Sequence, residues 1–435
     1  MERLSASVQN YAWGKLGKSS TVSQLAELNG DISTNPEARY AEYWFGTHHA
    51  GPSSIRKEDG TATETLSAWL FSNKDALGAM SERPDCIMSD SFCGLPYLAK
   101  VLSIAKCLSI QAHPDKVLAE QLHSERPEVY KDPNHKPEMA IALTPFEAMC
   151  GFRNVSEILT FAATVPEFRA VLTGGSAGTS AGSAAIQGLE DAFSKGDDVG
   201  TISAALQTLF RAYANADPAL VAAQVELLVQ RVGSSPKSTF DNVVDDPSGA
   251  GLAETLAVRL ASQFPGDIGV FAPFLLNFMR LQPGDAIFLA ANEPHAYVSG
   301  DCFEVMANSN NVVRMGCTPK LRDVPVLIEM LTFSNGLPHV LRGEPVSDHV
   351  RVYKPTDPAV TEFQVERIEV AAGQSCALTL PSTPAVVIVV KGQGTLSGVQ
   401  VSRGHVFIQR AGTELEVAGS GQDGAQIFRV QCREE

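Results

Sequence analysis

The feature that most constrains the fold of this 435-residue chain is a block with helical periodicity, residues 153–265, set between two stretches of short β-branched runs. Because insertions are accommodated most easily in surface loops, this order predicts a β-barrel interrupted by a helical domain and followed by a second β domain. A chain of this length also needs more than one core. Four segments of the block carry apolar residues at helical spacing, namely 155–163, 202–214, 220–232 and 252–264.

Short-range sequence signals indicate where individual helices, loops and strands begin and end. Asn154, and Asp217 followed by Pro218, are the residue types expected at helix N-termini. The Gly/Ser/Ala-rich segment 173–184 predicts a flexible surface loop. After residue 266, Pro-Gly and Gly-Asp turns separate runs of the kind that form short strands. Four such runs predict strands, namely 285–290, 325–331, 362–370 and 384–391.

Composition excludes several classes of partner. The formal net charge of -15 argues against binding to nucleic acid or to an anionic membrane, although it is compatible with a small anionic substrate. The N-terminal residues lack the apolar run of a secretory signal, and the most apolar stretch, 385–390, is too short to span a bilayer. The eight cysteines show no Cys-x-x-Cys spacing, which favours free thiols and a cytoplasmic location.

The segment 107–115 combines an apolar and a polar face. If it is a strand, the side chains at 108, 110 and 112 share the apolar face, and Ser109, Gln111 and His113 share the other. A carbonyl oxygen and an imidazole placed side by side could hold one cation. A solvated edge strand explains the same pattern, so the segment alone leaves both interpretations open.

Two further polar clusters follow. In the first, Pro137 restricts the backbone between Lys136 and Glu138, although an ordinary proline-containing turn has the same composition. In the second, a Pro-Gly turn starts an apolar strand that ends at Pro294 and His295. This spacing resembles the second metal-bearing motif of cupin barrels, in which two motifs on neighbouring strands meet at one metal. Further polar residues downstream are Tyr297, Asp301, Glu304, Arg314 and Lys320.

Seven short segments in this order resemble the type I mannose-6-phosphate isomerase (phosphomannose isomerase) family, a branch of the cupin superfamily, over essentially the whole chain. The resemblance is thinner through residues 160–250 and over the last hundred residues. Phe303 and Val305, which flank Glu304, also depart from the usual family pattern. The segments are 9–14, 41–48, 95–103, 109–116, 134–138, 291–297 and 310–316.

The resemblance implies a mainly β fold with an inserted α-helical domain and two cupin-like (jelly-roll) barrels. The catalytic barrel would comprise residues 1–152 and 266–335, and the helical domain residues 153–265. Residues 336–435 would form a C-terminal cupin-like domain without metal, because His405 has no partner there at ligand spacing.

The resemblance also implies one Zn²⁺ per chain, held by Gln111, His113, Glu138 and His295. This set is chemically reasonable, since two imidazoles and one carboxylate are familiar ligands of catalytic zinc. A weak fourth ligand such as Gln111 can coexist with water or substrate.

The activity implied is the interconversion of mannose 6-phosphate and fructose 6-phosphate through an enediol or enediolate. Such chemistry needs a base, an electrophile and a phosphate anchor. Glu304 is the first candidate for proton transfer, provided that its surroundings raise its pKa, with Lys136, Tyr297 and Asp301 behind it. Arg314 is expected to be the catalytic cation. The substrate-binding candidates are Ser109, Lys100 and Lys320 for the phosphate, with Trp13 and Asp301 near the sugar.

By the same resemblance the only expected partner is a hexose 6-phosphate, without nucleic acid or membrane, and the chain is expected to be a monomer. The product would feed GDP-mannose synthesis and protein glycosylation. Two alternatives remain. One is another metal-dependent cupin enzyme such as an iron-dependent oxygenase, which usually relies on more histidine. The other is a non-catalytic cupin that binds a sugar phosphate.

Overall fold

The computed structural model describes residues 1–57, 59–83, 87–89, 92–175, 180–233 and 250–434. Its strands form two large antiparallel sheets, and most of its helical residues lie between residues 155 and 263. None of the helices in these ranges is both long and apolar enough to cross a membrane. The α-helices described are Thr21–Asn29, Leu66–Ser72, Lys116–Glu125, Val155–Thr164, Pro166–Thr173, Ser180–Lys195, Val199–Ala214, Pro218–Gly233, Ala250–Gln263 and Val324–Met330.

The predicted helical block is confirmed, and each of its four periodic segments is a helix. The side chain of Asp217 accepts a hydrogen bond from the backbone N–H of Leu220 at 2.9 Å, as an N-cap does. Asn154 stands at the N-cap position of the first helix without a side-chain bond. The four observed helices are Val155–Thr164, Val199–Ala214, Pro218–Gly233 and Ala250–Gln263.

The loop expected over residues 173–184 is wrong at both ends, and its centre, 176–179, lies outside the described residues. Thr173 ends one helix, and helix Ser180–Lys195 includes the last five residues of the segment. A Cβ at Gly182 would lie 2.3 Å from the Leu172 carbonyl oxygen. The small residues there allow two helices to approach closely, which composition alone does not distinguish from flexibility.

The strand expected over residues 325–331 is also wrong, because this run forms helix Val324–Met330. Pro325 lies in the first turn, where its missing N–H costs no hydrogen bond and its fixed φ suits a helix. A short apolar run has no periodicity that separates a buried helix from a buried strand.

The first sheet has eleven strands and carries the polar motifs. Along strand Tyr97–Ile104 the side chains at 98, 100 and 102 line a cavity, and those at 97, 99 and 101 pack between the two sheets. The strands in hydrogen-bonding order are Val340–Leu341, Ala286–Leu289, Glu138–Ala142, His295–Ala307, Tyr97–Ile104, Glu42–Phe45 and Ser7–Gln9, with Ile110–Ala112, Phe146–Phe152, Leu276–Leu281 and Val313–Gly316 attached.

The second sheet also has eleven strands and packs against the outer face of the first. The stacked rings of Phe303 and Phe428, 4.6 Å apart, mark this shared core. The strands in order are Glu344–Pro345, Val350–Tyr353, Gln364–Val370, Leu415–Gln431, Ala385–Leu396, Val406–Gln409, Glu2–Ser5, Ser54–Arg56 and Ala62–Thr65, with Ser375–Leu378 and Val399–Ser402 attached.

Hydrogen bonding in the sheets departs from the expected division at residue 336. Strand Glu2–Ser5 pairs with Val406–Gln409, which brings the N-terminus into the second sheet. Strand Val340–Leu341 pairs instead with Ala286–Leu289 of the first sheet. Strand pairing between distant segments depends on which edges are free in the folded molecule, so chain order does not reveal it.

The helical block covers the back of the strands that carry the polar motifs. Ile110, Ala112, Ala296 and Val313 belong to the same buried apolar cluster as the inner faces of the helices. The polar side chains that alternate with them therefore point away from the helices, into the cavity.

Candidate metal and substrate site

Three potential metal ligands from separate parts of the chain meet in the first sheet. The ligand atoms of His113, Glu138 and His295 all lie within 4.8 Å of one another, and the three side chains are buried. His113 Nε2 lies 3.5 Å from one oxygen of Glu138, and His295 Nε2 lies 3.4 Å from the other. One carboxylate between two imidazoles forms a pocket of the size that a single metal ion needs.

Neighbouring strands bring these residues together. His295 is the first residue of strand His295–Ala307 and pairs with Gln111 across the sheet. Glu138 begins the strand that pairs along the later part of the same long strand, opposite Met306. The predicted convergence depends on this one strand, which contacts both other motifs.

Backbone carbonyls orient both imidazoles. The Nδ1 atom of His113 lies 2.6 Å from the carbonyl oxygen of Asn311, and that of His295 lies 3.0 Å from the carbonyl oxygen of Glu293. With Nδ1–H donating, each Nε2 keeps a free lone pair directed at Glu138. Both Nε2 atoms and Glu138 Oε2 are buried without a hydrogen-bond partner among the described residues. A divalent cation would satisfy all three, so these residues fit a metal.

The surroundings keep His113 and Glu138 in the protonation states that metal binding requires. Burial lowers the pKa of His113 to about 4, although the Glu138 carboxylate opposes this shift. Burial would raise the pKa of Glu138, but Lys136 and His113 outweigh it and hold this pKa well below its usual range. The imidazole is therefore neutral and the carboxylate ionised at neutral pH.

Gln111, the fourth predicted ligand, lines the cavity beside these residues. Its Oε1 atom lies 3.4 Å from the hydroxyl of Ser109, which lines the cavity too. Leu108 lines the cavity as well, whereas Ile110 and Ala112 are buried in the apolar cluster that the helices share. The expectation that Leu108 shares the apolar face of Ile110 is therefore wrong, since the strand begins only at Ile110 and its alternation does not extend to Leu108.

Most of the predicted site residues line one cavity of about 610 Å³, hereafter the site cavity. Its walls come from the first sheet, from residues 11–13 and from residues 317–320. His113 and His295 are buried behind this surface. The predicted residues in its lining are Trp13, Lys100, Ser109, Gln111, Lys136, Glu138, Tyr297, Glu304, Arg314 and Lys320.

Asp301 is the exception, and its predicted role at the sugar is wrong. Its carboxylate forms an ion pair with Lys15 at 2.6 Å and accepts a hydrogen bond from the Thr144 hydroxyl at 3.2 Å. It is absent from the lining of the site cavity. Asp301 and Glu304 are three residues apart on one strand, so their side chains point to opposite faces.

Glu304 lies within a group of buried charges on the cavity wall. Lys100 Nζ lies 3.0 Å from Glu304 and 3.6 Å from Glu42, and 5.4 Å from the centre of the Trp44 ring. Burial raises the pKa of Glu304, and the Glu138 and Glu42 carboxylates add to the shift against the opposing effect of Lys100. This is the raised pKa that a proton-transferring carboxylate requires.

Tyr297 lines the site cavity near Glu304. Burial, together with the negative charges of Glu304 and Glu138, raises the pKa of Tyr297 well above its usual range. Its hydroxyl is buried without a hydrogen-bond partner among the described residues. Tyr297 is thus a neutral donor available to a substrate oxygen rather than a base.

Arg314 and Lys320 supply positive charge that no acidic side chain neutralises within the described ranges. Arg314 is half-buried and opposite Gln111 in the sheet, and burial lowers its pKa from a very high ordinary value. A guanidinium remains charged under such conditions. Unpaired cations at the end of a cavity favour an anionic ligand.

Sequence reasoning assigned no role to several other residues of the site cavity, among them Glu42, Trp44, His48 and Lys106. The even positions of strand Glu42–Phe45 place Glu42 and Trp44 in its wall, so strand alternation could have identified them. His48 stacks on His49, and burial lowers its pKa to about 4. Lys106 lies 4.2 Å over the Phe264 ring of the helical block, a contact that no local pattern reveals.

Comparison with known proteins places the chain in a family. The catalytic-domain model of type I phosphomannose isomerase matches residues 1–155, and the model of its helical insertion domain matches residues 182–276. A mannose-6-phosphate isomerase from Macaca fascicularis is 39% identical over 450 residues, which cover 99% of this chain and 98% of the relative. The chain belongs to the type I phosphomannose isomerase family. This confirms the resemblance derived from the seven motifs.

Other members of the phosphomannose isomerase family agree in sequence and in fold. Mannose-6-phosphate isomerase 2 of Arabidopsis thaliana is 37% identical over 99% of this chain and 93% of the relative. A mutant of phosphomannose isomerase from Salmonella typhimurium superimposes with a TM-score of 0.77 at 29% identity, covering both chains completely. A crystal structure of a mannose 6-phosphate isomerase bound with zinc and yttrium has the same TM-score and coverage at 28% identity.

Proposed function

We propose that this chain is a zinc-dependent enzyme that interconverts mannose 6-phosphate and fructose 6-phosphate. One observation carries the proposal: three buried ligand atoms without partners converge beside a cavity that also presents Glu304 and Arg314. Aldose–ketose isomerisation needs a base, an electrophile at the carbonyl and an anchor for the phosphate, and Glu304, the metal and the cations of this cavity could supply them. The identity of the substrate is inferred from the family, since its curated members are mannose-6-phosphate isomerases.

For the metal we propose one Zn²⁺ per chain, bound by His113, Glu138, His295 and Gln111. The orphaned Nε2 and Oε2 atoms support the first three ligands, and the adjacent strand position supports Gln111. When bound, zinc would polarise the oxygens of the sugar and stabilise negative charge on them. Lys136, 3.1 Å from Glu138, keeps that carboxylate ionised and faces the site cavity.

Glu304 is the residue that we assign to proton transfer between the two carbons. Its raised pKa allows it to accept a proton near neutral pH and to return it to the neighbouring carbon. Lys100 holds Glu304 in place by a hydrogen bond of 3.0 Å. This pairing favours a role for Lys100 beside the base over its expected role at the phosphate. The hydroxyl of Tyr297 can donate a hydrogen bond to a sugar oxygen.

Arg314 is assigned to stabilising the enediolate, because its guanidinium carries a permanent charge and has no acidic partner in the described part of the chain. For the phosphate we propose Ser109 and Lys320, which line the same cavity. Trp13 would cover one side of the sugar.

Two competing functions predict different behaviour. A redox cupin, such as an iron-dependent oxygenase, would need iron and an oxidant, whereas the cations of the site cavity favour a phosphorylated substrate without redox chemistry. A non-catalytic sugar-phosphate-binding cupin would retain affinity for substrate without turnover. The buried Glu304 with its raised pKa has no purpose in simple binding.

The deciding experiment is a coupled assay of fructose 6-phosphate formation from mannose 6-phosphate. We expect turnover by the purified protein, its loss after prolonged chelation, and its recovery with Zn²⁺. Arg314→Ala should lower kcat by about 10²-fold or more with a smaller change in KM. Binding without turnover would support the binding-protein alternative, and turnover indifferent to full metal removal would refute the zinc site.

Three further properties belong to the same proposal. We propose a cytoplasmic location, supported by cysteines without the Cys-x-x-Cys spacing of metal or redox sites. We also propose a monomer, as the resemblance to the family implies. Light scattering and cell fractionation test these two statements. We also propose that the product supplies GDP-mannose synthesis for protein glycosylation. Depletion of the protein in its own cells should then lower the GDP-mannose pool, and added mannose should restore it.

A further inference from the structure

Lys136 stands on a segment that has no regular structure of its own. Residues 131–137 form neither helix nor strand, and strand Glu138–Ala142 begins immediately after them. Asn311, which lies just before strand Val313–Gly316, donates from Nδ2 to the carbonyl oxygens of Asp132 and Asn134 at 2.6 and 2.9 Å. These bonds fix the early part of the segment and leave its last residues to other contacts.

The residue before Lys136, His135, contacts a residue that precedes a strand of the second sheet. His135 Nε2 donates a hydrogen bond to Glu362 Oε1. Glu362 is only 6% exposed and lies just before strand Gln364–Val370. Its other oxygen accepts the backbone N–H of Thr361 at 3.0 Å, which fixes the carboxylate. The pair therefore joins two parts of the chain more than two hundred residues apart.

This contact determines where Lys136 points. Lys136 precedes Pro137, and a residue before proline is restricted to extended conformations. Successive side chains of an extended segment point to opposite sides. With His135 held outward against Glu362, Lys136 is directed inward, where its Nζ lies 3.1 Å from Glu138. The carbonyl of Pro137 accepts a bond from Ala307 N at 3.1 Å and fixes the other end.

We propose that Glu362 is a positioning residue for the isomerisation, acting through His135 to hold Lys136 in the site cavity. The second sheet would thus contribute to catalysis without touching substrate. This inference rests on the proposed function, because it assigns Lys136 to the reaction. Because both of its neighbours, His135 and Pro137, are held in place, the backbone at Lys136 has little freedom. Without the contact of His135, the Lys136 side chain could rotate out of the site cavity.

The size of the effect follows from the sensitivity of catalysis to position. A misplacement of about 1 Å can cost up to about 10²-fold in rate. Since Asn311 and Pro137 still restrain the segment after removal of the Glu362 contact, we expect Glu362→Ala to lower kcat about tenfold. KM should change less than about twofold, because the proposed phosphate contacts lie elsewhere.

The experiment compares four single variants of the full chain, loaded with zinc and assayed well below their melting temperatures. Glu362→Ala and His135→Ala should show the same loss of kcat, because each removes one side of the same contact. Glu362→Gln keeps an acceptor oxygen and should recover most of the wild-type rate. Glu369→Ala is the matched control: it removes an exposed carboxylate from the adjoining strand and should leave kcat unchanged.

A double mutant distinguishes a positioning role for Glu362 from a merely structural one, because only a positioning role makes its effect on kcat depend on Lys136. In a Lys136→Ala background, Glu362→Ala should have no further effect on kcat, whereas independent effects would multiply. Wild-type kcat in both Glu362→Ala and His135→Ala, or multiplicative effects with Lys136→Ala, would overturn the inference while the isomerase proposal stands. Lack of turnover by the wild-type chain itself would instead refute the proposed function, and the positioning role with it.

Discussion

Both sheets bury polar and charged side chains, but the two sets differ in whether other protein groups satisfy them. In the second sheet, Arg429 is fully buried and donates to both oxygens of Glu366, at 2.9 and 2.8 Å, and to the Thr379 carbonyl oxygen at 2.9 Å. In the first sheet, the facing atoms of His113 and His295 have no such partners within the described ranges. The Arg429–Glu366 pair satisfies itself away from the site cavity and serves the structure, whereas converging atoms left without partners beside that cavity indicate a ligand.

The contrast between the proposed metal site and the Arg429–Glu366 pair can be tested by substituting one residue of each. His295→Ala removes a proposed ligand whose Nε2 bonds to no described residue. We expect kcat to fall by more than the ~100-fold that loss of an outer hydrogen-bond partner typically costs, because the ligand itself is gone. The zinc content, measured by atomic absorption, should fall with it, while the metal-free variant unfolds at nearly the same denaturant concentration as the metal-free wild type. Retained zinc and turnover would show that the three residues do not form the metal site.

The opposite result is expected in the second sheet. Arg429→Ala leaves Glu366 as an unpaired buried charge, so the free energy of unfolding should fall by about 3–5 kcal/mol. Denaturant titration measures this loss. The kcat of the folded fraction should stay close to wild type, because Arg429 contacts no residue of the site cavity. A specific loss of kcat at unchanged stability would contradict the assignment of this pair to structure.

A smaller effect is expected at the rim of the site cavity. Lys320→Ala removes an exposed cation from the proposed phosphate end, and a single exposed charge contributes little, so KM should rise only about fivefold. The rise should shrink in high salt, which screens the same attraction. Lys391→Ala in the second sheet is the matched control. An equal rise in KM for both variants would mean that the effect is one of net charge.

The smallest expected effect is a shift of the pH profile. The Glu42 carboxylate helps to raise the pKa of Glu304, and Lys100 lies between the two. A base is inactive when protonated, so kcat/KM should fall as the pH drops through the pKa of Glu304. Glu42→Gln should lower that pKa and move the acid limb to lower pH, by about one unit or less. Movement towards higher pH would contradict the assignment of Glu304 as the base.

Much of the site could be predicted because its signals are local. Alternation along a strand places Gln111 beside His113 and Tyr297 beside His295, and it needs no knowledge of the rest of the molecule. The helical block was recognisable for the same reason, since periodicity is a property of neighbouring residues. The resemblance of seven motifs to one family then linked these local patterns to a single metal site.

The incorrect predictions have local and non-local causes. Residues 325–331 form a helix because a short apolar run carries no decisive period, and Gly182 serves close helix packing where composition indicated a loop. Asp301 lies on the face of its strand opposite to the site cavity, where its carboxylate contacts Lys15 and Thr144. Both faces of strand His295–Ala307 are buried, so burial does not distinguish the face that lines the site cavity from the other.

What the sequence by itself determined is therefore the chemistry: a metal-binding donor set, an acidic candidate base and unpaired cations, ordered as in one isomerase family. Only the tertiary structure decided the contacts between distant segments, such as the pairing of Glu2–Ser5 with Val406–Gln409 and the bond between His135 and Glu362. The physical reason is that local periodicity fixes the direction of a side chain relative to its own element. Its partner depends on which surfaces the packed sheets bring together.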